Sequence, residues 1–224
     1  MGMSKKDTEV LIQKIKDFLE RQPNEENQRG EPRLNALLEL FKTLNQIETD
    51  TTAEASIVRE YTSVKAIAIL QSGVRIYVKD IVNHLAESDR PLPKVEETIT
   101  LEMVREFKDK HYTLGDFVAH LWAYSSVEQI AAAMERVTGK KLLEIFELHA
   151  RAIKAKPEDD KSFYDKTLAA LARLFKRRNI ICHEIGPEIV CDHSELLEEL
   201  YAVFGLLVAV GNYAYIEMTK SKKA

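Results

Sequence analysis

Residues Leu174 to Glu184, LFKRRNIICHE, combine cations, an amide and an imidazole in a run that otherwise reads as a buried helix. The polar members with chemical potential are Lys176, Arg177, Arg178, Asn179 and His183. Histidine takes up and releases protons near neutral pH, and a planar guanidinium offers paired donors to negatively charged oxygens. These residue types therefore fit acid–base chemistry beside an anionic group.

The helical pattern predicts different directions for the neighbouring cations. At about 100° per residue, five apolar residues lie within about 60° of Arg178, so we expect Arg178 to point toward the core. These five are Leu171, Leu174, Phe175, Ile181 and Cys182. Lys176 and Arg177 point away and read as surface cations at a helix C-terminus. A buried salt bridge from Arg178 to Asp80 or Glu60 is an alternative explanation of its position.

The spacing of Asn179 and His183 places both on one face, where the amide can bond the imidazole and fix its tautomer. Arg178 and His183 diverge by about 140° on an ideal helix and differ by about 7.5 Å in rise. They can share a substrate if the helix end distorts, if the arginine reaches across, or if a second copy of the chain supplies one of them.

Composition indicates the kind of protein that positions these residues. Of 224 residues, 45% are apolar, and only eight Gly and six Pro interrupt the chain, so we expect an all-α protein. A net charge of −4 argues against nucleic-acid binding over the whole surface but permits a local basic patch. Cys182 and Cys191 form no CxxC pair, the histidines show no metal-ligand spacing, and the start MGMSKKDTEV is not an export signal. We expect free thiols, no bound metal, and the cytoplasm.

Hydrophobic periodicity and breakers define the elements. We expect helices over residues 6–21, about 34–44, 55–87, 99–110, 115–124, 126–138, 140–155, 160–183 and 194–218. The first two would form an N-terminal hairpin or arm over residues 1–50, and the polar run IETDTTAE would separate it from a main domain over 51–224. The apolar stretch 200–216 is too short for a bilayer and contains Asn212, so we interpret it as a buried or interface helix.

Arg178, Asn179 and His183 spell R-N-x-x-x-H, which resembles the R-x(4–6)-H signature of the HEPN superfamily. The resemblance covers about residues 55–218, and the chain looks closest to bacterial stand-alone HEPN proteins of the RiboL-PSP or MAE-type groups. It implies an up-and-down helical bundle, here with extra short helices and the N-terminal hairpin. It also implies a metal-independent endoribonuclease without cofactor, usually a homodimer with a composite cleft.

The resemblance assigns a role to each motif residue. Attack of a ribose 2'-hydroxyl on its own 3'-phosphate would give a 2',3'-cyclic phosphate and a 5'-hydroxyl. His183 would transfer the proton and Arg178 would stabilise the charged transition state, while Asn179 would orient His183 or the phosphate. Lys176 and Arg177 would hold the RNA backbone.

The biological setting implied by the resemblance is prokaryotic defence or a toxin–antitoxin pair, with an antitoxin or regulatory protein as a further partner. Two alternatives stay open. Many HEPN domains serve as non-catalytic interaction or assembly modules, and an unrelated helical scaffold would explain the same periodicity.

Overall fold

A computed structural model describes residues 31–88, 91–92, 105, 108, 111–152, 157–183 and 192–220. All seven elements in these residues are helices, which confirms the predicted all-α class. We label them α1 (Glu31–Gln46), α2 (Ala53–Glu87), α3 (Leu114–Leu121), α4 (Val127–Thr138), α5 (Leu142–Ala152), α6 (Pro157–His183) and α7 (His193–Lys220). The helices predicted over 6–21 and 99–110 lie outside the described residues, apart from Arg105 and Lys108.

The turn between α1 and α2 forms where the polar run IETDTTAE predicts a break. Thr52 caps α2 by accepting a hydrogen bond from the Ala55 amide at 3.2 Å. The Arg59 guanidinium donates to the carbonyl oxygens of Ile47 and Asp50 at 2.8 and 2.7 Å, which ties the turn to the second turn of α2. Leu37 and Leu44 of α1 are fully buried in the same core as the later helices. The helix α1 therefore shares its core with the helices that follow residue 51.

The long helices α2, α6 and α7 set the frame of the bundle. A Cβ atom added at Gly73 would meet Leu207, and one added at Gly211 would meet Tyr77, so α2 and α7 run in parallel. Ion pairs join α6 and α7 in the reverse order, Arg173 to Glu198 and Arg177 to Glu195, so these two helices are antiparallel.

The helix α7 is in contact with α1, α2, α5 and α6. Within the described residues it is the one helix long and apolar enough to cross a membrane by length and composition, and 56% of its most apolar window is buried inside the protein. Its apolar side chains therefore belong largely to the core, as the sequence predicts for residues 200–216.

The short helix α3 packs closely on α2. Thr113 and Asp116 form a capping box, with the Thr113 hydroxyl accepting from the Asp116 amide at 3.1 Å. The Gly115 amide donates to Asn83 Oδ1 at 2.8 Å, and a Cβ atom at Gly115 would collide with the backbone oxygen of Lys79. Only glycine allows the start of α3 to approach α2 this closely.

Candidate functional site

The last turns of α6 leave the core. Leu174 and Phe175 are buried, Ile180 and Ile181 are half-buried, and His183 is exposed. The apolar stripe that the sequence shows therefore continues past the point where other helices cover it. A polar side chain in the last turns of α6 can therefore lie on this stripe and still reach solvent.

The prediction that Arg178 lies in the core is wrong. Arg177 is the buried guanidinium of the run, at 8% exposure, whereas Arg178 is only half-buried. Arg177 lies under the first turns of α7, which cover that side of α6. The Arg178 side chain lies beside an open cleft that Phe175 also lines.

Arg177 is held by two glutamates of α7. Its Nη2 atom lies 2.9 Å from Glu199 Oε1 and 3.1 Å from Glu195 Oε2. Glu199 is fully buried, and this burial raises the pKa of its carboxyl, while Arg177 opposes the shift. Arg177 is thus not the solvent-facing cation that the helical wheel indicates, and its buried position does not suit a contact with an RNA backbone.

A cleft of about 780 Å³ brings together four of the five predicted site residues. We call it the motif cleft; its lining residues are Ser125, Ser126, Phe175, Lys176, Arg178, Asn179, Ile180 and His183. Arg178 and His183 therefore share one cleft within a single chain, despite their divergence on an ideal helix. Arg177 is the predicted site residue that the cleft does not contain.

Asn179 contacts the arginine and not the histidine. Arg178 Nη1 donates to Asn179 Oδ1 at 3.0 Å, so the amide orients the guanidinium. The predicted hydrogen bond from Asn179 to the His183 ring is not formed. Within the described residues Arg178 also forms no ion pair, so the alternative of a salt bridge to Asp80 or Glu60 is not realised.

The opposite wall of the motif cleft is the turn between α3 and α4, which our sequence reasoning did not select. Gln71 of α2 donates to the Tyr124 carbonyl oxygen at 2.9 Å, and Arg75 lies over the Tyr124 ring at 5.1 Å. The Tyr124 hydroxyl is buried, which raises its pKa, and donates to the Ala119 carbonyl oxygen at 3.1 Å. These contacts anchor the turn that presents Ser125 and Ser126.

Ser126 caps α4 by accepting from the Gln129 amide at 3.3 Å, and the Ser125 hydroxyl donates to Gln129 Oε1 at 2.7 Å. The pair Ser-Ser before an apolar periodic run is a recognisable helix start. Its placement opposite Arg178 is a tertiary contact between residues more than fifty positions apart, and no local pattern predicts it.

The charged side chains in the described lining of the motif cleft are cations. Its described lining includes two cations, Lys176 and Arg178, with an imidazole and two hydroxyls, and contains no carboxylate. The two cations of α6 attract an anion, whereas on the opposite wall the Ser125 hydroxyl already donates to Gln129 Oε1 and the Ser126 side chain hydrogen-bonds the Glu128 carboxyl. Elsewhere in the described residues no group of three or more His, Cys, Asp or Glu side chains could hold a metal ion.

Comparison with known protein families, with curated proteins and with solved structures finds no match for this chain. The motif cleft and the R-N-x-x-x-H spacing are the features of the chain that indicate a function.

Proposed function

We propose that the protein is a metal-independent endoribonuclease with a HEPN-like bundle, acting in the cytoplasm. The observation that carries the proposal is the motif cleft, where Lys176, Arg178 and His183 converge and whose described lining contains no carboxylate. An acid beside Arg178 would neutralise the guanidinium and repel a phosphate. Its absence from the described lining leaves both cations available for an anionic substrate.

In the proposed reaction a ribose 2'-oxygen attacks the adjacent phosphorus. The O2'–H bond breaks and its proton passes to a base, the O2'–P bond forms, and the P–O5' bond breaks. The departing 5'-oxygen takes up a proton, so the products are a 2',3'-cyclic phosphate and a 5'-hydroxyl. His183 transfers one of these protons, a role that typically contributes about 10²- to 10⁴-fold to the rate.

Arg178 stabilises the negative charge that develops on the non-bridging oxygens, since its guanidinium can present paired donors. Asn179 holds one side of that guanidinium at 3.0 Å and leaves other N–H groups for the substrate. Lys176, which is exposed at the rim, binds a neighbouring phosphate of the RNA backbone.

Two proton transfers and one imidazole per cleft favour a homodimer in which a second copy completes the site. A strict monomer at micromolar concentration, measured by chromatography with light scattering, would contradict this part of the proposal. An antitoxin or other regulatory protein that covers the motif cleft would restrain the activity.

The test is incubation of the purified protein with total RNA in EDTA, followed by analysis of the fragment ends. We expect cyclic phosphate and 5'-hydroxyl ends from the wild type, and a loss of at least about 100-fold in rate for both Arg178→Ala and His183→Ala. The matched control is Arg151→Ala, because the Arg151 side chain is 75% exposed and its contact within the described residues is an ion pair with Glu147 at 3.8 Å on the same helix.

Cleavage that persists in both motif variants would exclude the motif cleft as the active site. No cleavage by the wild type would refute the nuclease and favour the non-catalytic interaction module, for which Arg178→Ala should weaken a complex instead.

A further inference from the structure

The last tertiary anchor of α6 before the motif is the pair Arg177 and Glu199. In the described part of α6, every side chain after Arg177 is exposed or half-buried. Arg177 directly precedes Arg178 and lies six residues before His183, about 9 Å along the helix axis. Any rotation or fraying of these turns therefore moves both motif residues.

The geometry of the Arg177–Glu199 pair restrains such movement. A single nitrogen of Arg177, Nη2, contacts Glu199 at 2.9 Å and Glu195 at 3.1 Å. The two glutamates are four residues apart, so they lie one above the other on the same face of α7. A guanidinium nitrogen that bonds two carboxylates at once has one favourable position, whereas apolar side chains in contact tolerate small displacements.

Burial makes the restraint strong. Glu199 is fully buried, and its other oxygen, Oε2, has no hydrogen-bond partner among the described residues. Arg173 approaches the same carboxylate, with Nε at 3.9 Å from Oε1, and is a weaker second neighbour. A buried charge that loses its main partner is strongly unfavourable, so the pair resists separation of α6 from α7 at this level.

We propose that Arg177 and Glu199 are positioning residues for the motif cleft: their ion pair sets the rotation of the last turns of α6, and thereby aims Arg178 and His183 at one substrate. This rests on the proposed ribonuclease function for its catalytic consequence. Neither residue touches the substrate. Displacement of reacting groups by about 1 Å is enough to lower a rate by about 100-fold.

The adjacent residues Glu198 and Glu199 provide a matched pair of variants. Both glutamates contact an α6 arginine, Glu198 with Arg173 at 3.0 Å, yet the Glu198 side chain is 70% exposed and the Glu199 side chain is not exposed at all. We expect Glu199→Gln to lower kcat for RNA cleavage by about 10- to 100-fold per folded molecule, with KM changed by less than about twofold. Glu198→Gln should leave both values near those of the wild type.

A second readout does not depend on RNA. Amide hydrogen exchange of residues 176–183 should accelerate by at least about 10-fold in Glu199→Gln, while residues 163–174 keep their rates and Glu198→Gln changes neither segment. If the wild type cleaves no RNA, the proposed function fails, and this measurement still decides whether the pair holds the motif turns. Unchanged exchange and unchanged kcat in Glu199→Gln would overturn the positioning role.

If Glu199→Gln does not fold, the double variant Arg177→Met with Glu199→Met replaces the pair by apolar side chains, a change that often preserves stability. Positioning predicts a folded protein whose kcat stays at least about 10-fold low, because apolar contacts do not set one rotation. Full recovery of kcat would show that packing alone suffices and would overturn the inference.

Discussion

Arg177 and Arg178 are neighbours of identical chemistry, and we predict that replacing each by alanine affects stability to very different extents. Arg177→Ala should destabilise the fold because it removes the main partner of the buried Glu199 carboxylate and leaves only Arg173, at 3.9 Å, nearby. Arg178→Ala should abolish RNA cleavage and leave stability nearly unchanged, because Arg178 lines an open cleft and its described polar contact is with Asn179.

The size of the stability loss in Arg177→Ala is limited by the free energy needed to protonate Glu199. Without Arg177 the carboxyl can take up a proton, which limits the cost. Protonating a carboxyl with the ordinary pKa of 4.5 costs about 3.4 kcal/mol at pH 7 and about 0.7 kcal/mol at pH 5. Breaking a buried ion pair typically costs about 3 to 5 kcal/mol, so the two estimates agree at neutral pH.

The sign of the pH dependence follows from the same group. Burial raises the pKa of Glu199, and removing Arg177 raises it further. Folding of the variant then favours the protonated carboxyl. The variant therefore keeps its full stability at pH values below the ordinary pKa of a glutamate, and it loses stability as pH rises above that pKa. The difference in stability between the wild type and Arg177→Ala should therefore be larger at pH 7 than at pH 5.

Thermal unfolding at both pH values measures these effects. For a domain of this size about 1 kcal/mol corresponds to about 2 to 4 °C, so we expect Arg177→Ala to lower Tm by about 7 to 14 °C at pH 7. Surface substitutions usually change stability by less than about 0.5 kcal/mol, so Arg178→Ala should shift Tm by no more than about 2 °C. An equal loss of stability in both variants, or a penalty for Arg177→Ala that does not change with pH, would refute the assignment of Arg177 as the buried partner.

Further predictions concern the elements that surround the motif cleft. Gly115→Ala should destabilise by about 2 to 3 kcal/mol in urea unfolding, because its Cβ would collide with the backbone oxygen of Lys79; a smaller loss would mean that α3 can shift on α2. Gly139→Ala should lose only about 1 kcal/mol, since its φ of 67° is strained for alanine while its Cβ would have open space, and Gly139→Asn should lose less. Burial lowers the pKa of His149, whose Nδ1 lies 2.8 Å from Asn212 Nδ2. The neutral ring therefore contributes to stability at pH values above the ordinary pKa of histidine, and this contribution is lost as pH falls. The urea midpoint of the wild type should accordingly fall more between pH 7 and pH 5 than that of His149→Gln; equal slopes would exclude this histidine as a cause.

Local patterns were sufficient for much of the architecture. The periodicity of residues 55–87, the stop at Gly139 and the apolar run 200–216 each predict a helix that the structure contains, with ends displaced by a few residues. Caps explain the accuracy at the starts, because Thr52, Thr113 and Ser126 bond amides within three residues of themselves. The N-terminal hairpin stays a prediction, since its first helix lies outside the described residues.

The sequence by itself determined that the chain is all-helical and that lysine, arginine, asparagine and histidine cluster near the end of one late helix. Only the tertiary structure decided which arginine is buried, because a helical wheel states the direction of a side chain but not what covers it. The first turns of α7 cover Arg177 with Glu195 and Glu199, whereas the turn at Ser125 leaves the direction of Arg178 open. Whether a side chain is buried depends on the neighbours that long-range packing places around it. Residues distant in the chain therefore bury Arg177 and leave Arg178 in an open cleft.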